Sequence, residues 1–298
     1  MTPSISVVVA TYEWPEALDV VLRALSEQQG AAFETAVADD GSGEEVAGVV
    51  ERWRSALDPT HVWQPHEGFR KARLLDMAAL RTTGEYLLFL DGDCVPRSGF
   101  VQAVRDSAVP GTFVASKRLH LSPALSERVI AGSAPVWRWS AARWLVMAPR
   151  ELVTSPHRQA NRPGVLLPVR DRRRRRAGEG IDFRPPYNGY GYAFGMFRSD
   201  FERVNGFDTR LTGWDADDTD LARRLRLAGL CCRWPGPVAS VMHLWHPPGK
   251  QGARRDLTRA DGPEAVEGLR ELAAELARDQ LSAKRVGASS SSTDPAKR

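Results

Sequence analysis

Three cysteines in 298 residues, two of them adjacent (Cys231 and Cys232), make no disulfide framework and no metal-ligand spacing. No apolar stretch approaches the ~20 residues of a membrane span. The opening residues 1–11 lack a basic n-region, and their apolar run has the length of a strand rather than of a leader, so the expected compartment is the cytoplasm. No G-x-G-x-x-G follows that run and no P-loop occurs anywhere, so a nucleotide would have to be held by something other than a glycine cradle. Zinc-ligand patterns and aromatic-studded strands are missing too, which leaves no signature of a nucleic-acid reader beyond charge.

What is present suits a globular chain with a full core: 42% hydrophobic and 26% charged residues. The net charge of +4 is unevenly spread, because residues 126–180 carry twelve arginines against four acids, a local +8. That asymmetry points to a local anionic partner.

Apolar runs alternate with helical stripes. Strands are expected at Ile5–Ala10, Phe33–Ala38, His61–Gln64 and Tyr86–Leu90, with helices over Glu16–Gln29, Glu44–Leu57 and Gly68–Thr82 between them. This alternation predicts an α/β fold with a Rossmann-like, mostly parallel central sheet and flanking helices. The run Tyr86–Leu90 ends in Asp91-Gly92-Asp93, where open α/β sheets bind their ligands. A turn at Gly92 would bring both carboxylates together as hard oxygen ligands for Mg²⁺ or Mn²⁺. Asp-Gly is equally ordinary turn chemistry. Thr11 and the pair Asp39-Asp40 also stand at strand ends, where they could accept hydrogen bonds from a base or ribose or form a plain Asx turn.

Further on, helices are expected at Val101–Ser107 and Ser199–Val204, and strands at Phe113–Leu119, Ala193–Phe197 and Val238–Met242. Trp137, Ala141, Trp144, Leu145 and Ala148 would share one helical face flanked by Arg138, Arg143 and Arg150. Such a helix either lies on an anionic membrane surface or buries its tryptophans. Arg170–Arg176 is a block of like charge of the solvated kind. Asp215, Asp217, Asp218 and Asp220 open an amphipathic helix, more acids than capping requires. Their repulsion should raise some pKa values unless a cation or substrate relieves it. His243 ends the last strand and is a candidate third ligand beside Asp91 and Asp93.

Together these residues resemble the inverting family 2 glycosyltransferases of the GT-A fold, in the bacterial galactosyltransferase and chondroitin-polymerase-like branch. The resemblance spans roughly Ser4–Pro248 and rests on Val7–Tyr12, Asp39–Ser42, Gly68–Ala72, Asp91–Pro96, Asn205–Asp208, Gly213–Asp218 and His243–His246. It implies a metal-dependent inverting transfer from a nucleotide-diphosphate sugar, most simply a UDP-hexose or UDP-N-acetylhexosamine. The acceptor hydroxyl would be on a glycan, a glycolipid or a small molecule. The implied roles are Asp218 as general base, Thr11, Tyr12, Glu13, Asp39, Asp40, Arg70, Arg73, Asp91 and Gly92 at the nucleotide, and Asp91, Asp93 and His243 at Mn²⁺ or Mg²⁺. Trp214, Asp217, Gly191 and Tyr192 would meet the sugars, and Lys71 the nucleotide or the Asp39/Asp40 carboxylates. Tyr187–Tyr192 and the arginine-rich stretch are the candidate lid.

Three positions depart from the family's pattern. Asp217 is one methylene shorter than the family's Glu, Ala193 stands where relatives carry Asn, and Arg170–Arg176 belongs to no motif of the family. The expected organisation is a catalytic domain over 1–250, with a nucleotide half (1–118), a basic insert (119–182) and a base-bearing half (183–250). A helical extension over 251–281 and a disordered tail over 282–298 would follow. A sugar-nucleotide nucleotidyltransferase is the nearest rival, but Thr11–Pro15 has neither the glycine nor the basic residue that such an enzyme needs there. A catalytically silent sugar- or membrane-binding protein is the other. No nucleic acid is expected as partner, and peripheral contact with an anionic membrane is an expectation from Trp137–Arg150 alone.

Overall fold

Strand β1 (Ile5–Thr11) is buried along nearly its whole length, as a strand covered on both faces must be. Pro15 opens α1 (Pro15–Ser26), a position where the missing N–H has no helical partner to lose. The chain then runs through β2 (Glu34–Asp39), α2 (Glu44–Arg52), α3 (Arg54–Leu57), β3 (Thr60–Trp63), α4 (Lys71–Leu80) and β4 (Tyr86–Asp91). The predicted helix Glu44–Leu57 is therefore two, parted at Trp53, whose indole donates to Asp19 Oδ1 of α1 at 3.0 Å. The computed structural model describes residues 2–30, 32–155, 193–211, 217–247 and 266–278.

Beyond β4 come β5 (Cys94–Pro96), α5 (Phe100–Asp106), β6 (Thr112–Ala115), β7 (Arg118–His120), α6 (Pro123–Ile130) and α7 (Ala141–Thr154). Next are β8 (Ala193–Phe197), α8 (Arg198–Arg203), α9 (Asp217–Leu227), β9 (Cys231–Arg233) and β10 (Val241–His243), with a last helix over 269–278. Seven strands form the main sheet in the order β3-β2-β1-β4-β8-β6-β9. The first four are parallel, and β8 runs antiparallel to both of its neighbours. Register sets Thr11 against Asp39 and Ala10 against Asp91, which brings three polar strand ends to one edge. Side chains alternate across the sheet as strand geometry requires. Val7, Val9, Leu88 and Leu90 join the core under α1 and α2, while Val8, Leu87 and Phe89 join the one under α4 and α9.

A second sheet, β5-β10-β7, corrects two sequence expectations. The expected strand Phe113–Leu119 is broken, with β6 in the main sheet and β7 in the small one. The last strand begins at Val241, after a 3₁₀ turn at Pro237–Ala239. Trp137 likewise sits in its own 3₁₀ turn (Val136–Arg138), not on the helix that carries Trp144.

One buried ion pair locks α9 in place. Arg224 is 1% exposed and donates from Nε to Asp220 Oδ2 at 2.6 Å and from Nη1 to the carbonyls of Val204 and Gly206 at 2.6 and 2.7 Å. Asp220 is thus spoken for structurally, although the sequence groups it with the other helix-opening acids. Removing one partner of such a pair strands the other charge, so Arg224→Met is expected to lower unfolding free energy by about 3–5 kcal/mol, measured by urea denaturation.

Candidate active site

The site begins with a close approach of backbones. The Gly92 N–H donates to the Ala10 carbonyl at 2.7 Å, and a Cβ at position 92 would lie 2.6 Å from that same oxygen. Only glycine lets the chain leave β4 so near to β1, and the two flanking acids part there to different partners.

Asp91 Oδ1 accepts from Lys71 Nζ at 2.6 Å. Lys71, Asp91, Asp217 and Asp218 line one cleft, with Ala10, Leu75, Phe89, Leu90, Phe194 and Phe207 as its apolar wall. Burial disfavours the charge on Lys71, but the Asp91, Asp217 and Asp218 carboxylates outweigh it and hold the ammonium more firmly than usual. Burial raises the pKa of Asp217, against the pull of Lys71, and one of its oxygens is buried with no hydrogen-bond partner. Asp218 is pushed up to about 7 by burial and by neighbouring Asp217. The Thr219 N–H donates to Asp218 Oδ1 at 2.6 Å.

Asp93 turns to the small sheet. The Leu244 N–H donates to the Asp93 carbonyl at 2.9 Å, and β10 sets His243 opposite both Cys94 and His120. Asp93 Oδ2 then lies 3.3 Å from His243 Nε2 and 3.4 Å from His246 Nε2. Burial opposes the Asp93 charge, but His243 and His246 overcome it and hold the carboxyl well below the usual carboxylate range. Burial keeps His243 more neutral than a free imidazole, whereas the Asp93 hydrogen bond raises His246. Asp93 Oδ1 is buried without a hydrogen-bond partner. An ionised carboxylate with an open oxygen beside a neutral imidazole fits a divalent cation. Among the described residues, potential ligand atoms of Asp93, Cys94 and His243 lie within 4.8 Å of one another. Burial and the nearby acids push the Cys94 thiol well up, which leaves it protonated as a donor to Asp93. Of the three predicted ligands, Asp93 and His243 come together, and Asp91 is engaged by Lys71 instead.

The other predicted contacts frame a surface beyond Thr11. The Asp39 carboxylate is fully buried, accepting from the Ser42 N–H at 2.9 Å, with His61 Nε2 at 3.0 Å. Burial works against its ionisation, but these partners prevail and hold it below the usual range. Asp40 accepts from Gln64 Nε2 at 2.6 Å and lies 3.2 Å from His66 Nδ1. Tyr12 stacks on His66, with ring centroids 4.4 Å apart, and stays half exposed. The Glu13 N–H donates to Ser42 Oγ at 2.9 Å, and its carboxylate accepts from the Gly43 N–H at 3.0 Å. Arg70 pairs with Glu67 at 2.9 Å, and Arg73 reaches Gln64 at 3.2 Å and Glu275 at 2.7 Å. Neither arginine, nor Lys71, pairs with Asp39 or Asp40.

Trp214, Gly191, Tyr192, Tyr187–Tyr192 as a lid and the Arg170–Arg176 run lie outside the described residues, as does the 282–298 tail. Sequence reasoning missed His246, although its three-residue spacing from His243 was visible. It also missed His61, Gln64 and His66, which nothing in their local sequence marks.

Residues 6–116 match the family described as glycosyl transferase family 2, and residues 172–247 match the N-terminal domain of galactosyltransferase. The chain is 26% identical over 249 residues to validoxylamine A glucosyltransferase of Streptomyces hygroscopicus subsp. jinggangensis, covering 76% of this chain and 52% of that protein. It is 27% identical over 100 residues to chondroitin synthase of Pasteurella multocida, covering 33% of this chain and 10% of the synthase. The chain thus spans about half the length of the first relative and far less of the second. In fold it is similar to a mannosyltransferase from Pyrobaculum calidifontis solved with GDP-Man and Mn²⁺, at 20% identity, TM-score 0.52 and coverage of 82% of this chain and 57% of that one. The mostly parallel sheet, with its polar strand ends on one edge, is the GT-A arrangement. Residues 6–116 thus carry a domain of the glycosyl transferase family 2 type, and residues 172–247 one similar to the N-terminal domain of galactosyltransferase.

Proposed function

We propose that the protein is a metal-dependent inverting hexosyltransferase that takes a sugar from a nucleotide-diphosphate donor, a UDP-hexose or UDP-N-acetylhexosamine, to an acceptor hydroxyl. The observation that carries this reading is the pairing of two acidic centres across Gly92. Asp218 stands with Lys71, Asp91 and Asp217 on one side, and Asp93 stands with His243 and His246 on the other.

Asp218 is the general base. Thr219 occupies its Oδ1, which leaves Oδ2 to take the proton as the acceptor oxygen attacks the anomeric carbon. The bond from that carbon to the diphosphate oxygen breaks on the opposite face, and the nucleoside diphosphate departs with the electron pair. Lys71 offsets the acids and keeps Asp218 from being pushed higher still. Asp217 positions the sugars. Asp93 and His243 would hold Mn²⁺ or Mg²⁺, with His246 beside Asp93, and the ion would supply positive charge to offset that of the departing diphosphate. The exposed Tyr12 ring offers a stacking face for the base, with Asp40 beside it and Asp39 buried beneath as the support of the Ser42 turn. The solved mannosyltransferase of similar fold, bound to GDP-Man and Mn²⁺, supports a metal and a nucleotide sugar as ligands.

Thermal stability against UDP, GDP, CDP and dTDP, each with Mn²⁺ and with EDTA, tests the reading. Ligands that bind only the folded state raise its melting temperature by mass action. A rise with UDP that requires Mn²⁺ is expected. A rise with another nucleotide changes the donor and keeps the mechanism, and no rise with any of them sinks the proposal.

A further inference from the structure

Helix α7 has an outer face that the transferase reading leaves unused. Two residues pin its inner face. Trp144 is fully buried in the larger core. Glu151, also buried, accepts from the Ser122 N–H at 2.7 Å and the Ser122 hydroxyl at 3.1 Å. Anchored two turns apart on one side, the helix cannot roll, and its opposite side is fixed toward solvent.

That side presents Ala142, Arg143, Leu145, Val146, Pro149 and Arg150, all exposed. Leu145 is 55% and Val146 76% exposed, and no other exposed large apolar residues among those described are adjacent in sequence. No acid shares the face, because Glu151, the single acid of the helix, is the one turned inward. A surface helix normally turns its polar side outward, so apolar side chains held there between arginines are unusual for water.

Two exposed apolar side chains fall well short of a stable protein interface of roughly 800 Å² per partner. Shallow insertion of a few apolar side chains with basic neighbours at headgroup level is, by contrast, how an interfacial helix holds an anionic leaflet. The helix also adjoins the metal side of the site. Ser122 follows β7, whose His120 lies opposite His243, and Ser126 of α6 accepts the Trp245 N–H at 2.8 Å. Of the two readings the sequence left open for these tryptophans, burial is the one realised: Trp137 and Trp144 are buried, with Trp139 beside them.

We propose that the outer face of α7 seats the protein on an anionic bilayer surface. The membrane contact stands on α7 alone. That a lipid-linked acceptor is what it brings within reach rests on the transferase reading.

The test is flotation of the full chain with vesicles of phosphatidylcholine containing 30% phosphatidylglycerol, against pure phosphatidylcholine, in low and high salt. Binding to the anionic vesicles alone, weakened by salt, is expected, with at least a tenfold loss in the doubly substituted Leu145→Asp, Val146→Asp protein. Both positions are exposed, so the variant should keep the wild-type melting temperature and the same response to UDP and Mn²⁺. A failed transferase reading would abolish that nucleotide response without touching flotation. Wild-type protein that stays off anionic vesicles, or a double variant that floats equally well, overturns the proposal. So does a wild-type dimer that the double substitution dissociates, since the face would then belong to a second copy.

Discussion

Asp218→Asn is expected to lower the turnover number about 10³-fold while leaving donor binding nearly intact. General-base catalysis contributes 10²–10⁴-fold, and an amide cannot take the acceptor's proton. The wild-type pH profile should rise between pH 6 and 8, because the carboxylate is the active form and burial with Asp217 places the Asp218 pKa at about 7. The charged groups that face it are Asp217 and Asp91, which raise it, and Lys71, which lowers it. Lys71→Met should therefore move the midpoint to higher pH, a shift that loss of packing alone would not produce. Stability should run the other way. A carboxyl whose folded pKa exceeds its ordinary value of 3.8 favours the folded state when protonated, and that contribution is lost as pH rises from about 4 through about 7. At pH 8 the uncharged Asn variant is expected to melt a few degrees above wild type. A variant that both turns over normally and melts lower would remove Asp218 from the mechanism.

Asp93→Ala is expected to abolish the Mn²⁺-dependent part of UDP stabilisation and to lower activity by roughly 10²–10³-fold, the scale of charge stabilisation that a bound metal supplies. The physical reason is local. Asp93 is the anion to which both imidazoles point, and its Oδ1 is buried without a hydrogen-bond partner. Without it two imidazoles face each other with no counter-charge. Cys94→Ala is the matching control, since its thiol is held protonated behind Asp93, and it should keep most of the metal response. Calorimetric titration with Mn²⁺ reads both variants directly. Unchanged Mn²⁺ affinity in Asp93→Ala would place the metal elsewhere.

Much of the architecture was legible because it is written in contiguous residues. The runs Ile5–Ala10 and Tyr86–Leu90 are continuous and apolar since both faces of those strands are covered, and the structure has strands at both. Phe113–Leu119 misled for a different reason. It is one extended run by pattern, yet pairing splits it between two sheets, and no local signal says which partner each half will find. The tryptophan-rich segment misled through Trp137, which belongs to a separate turn ahead of α7.

The candidate site divides along the same line. Sequence by itself determined which residue types stand at the strand ends and at the start of α9, and so the kind of chemistry on offer: acids, a lysine and two histidines. Only the tertiary structure decided how those groups are used. Asp220 is taken by Arg224 and Asp91 by Lys71, while Asp93 faces His243 and His246 and Asp218 is left with a pKa of about 7. Periodicity is set by neighbours along the chain, whereas ionisation and ligation depend on burial and on charges a few ångströms away. Some of those charges, such as Asp93 and His243, come from segments more than a hundred residues apart, and only folding brings them together.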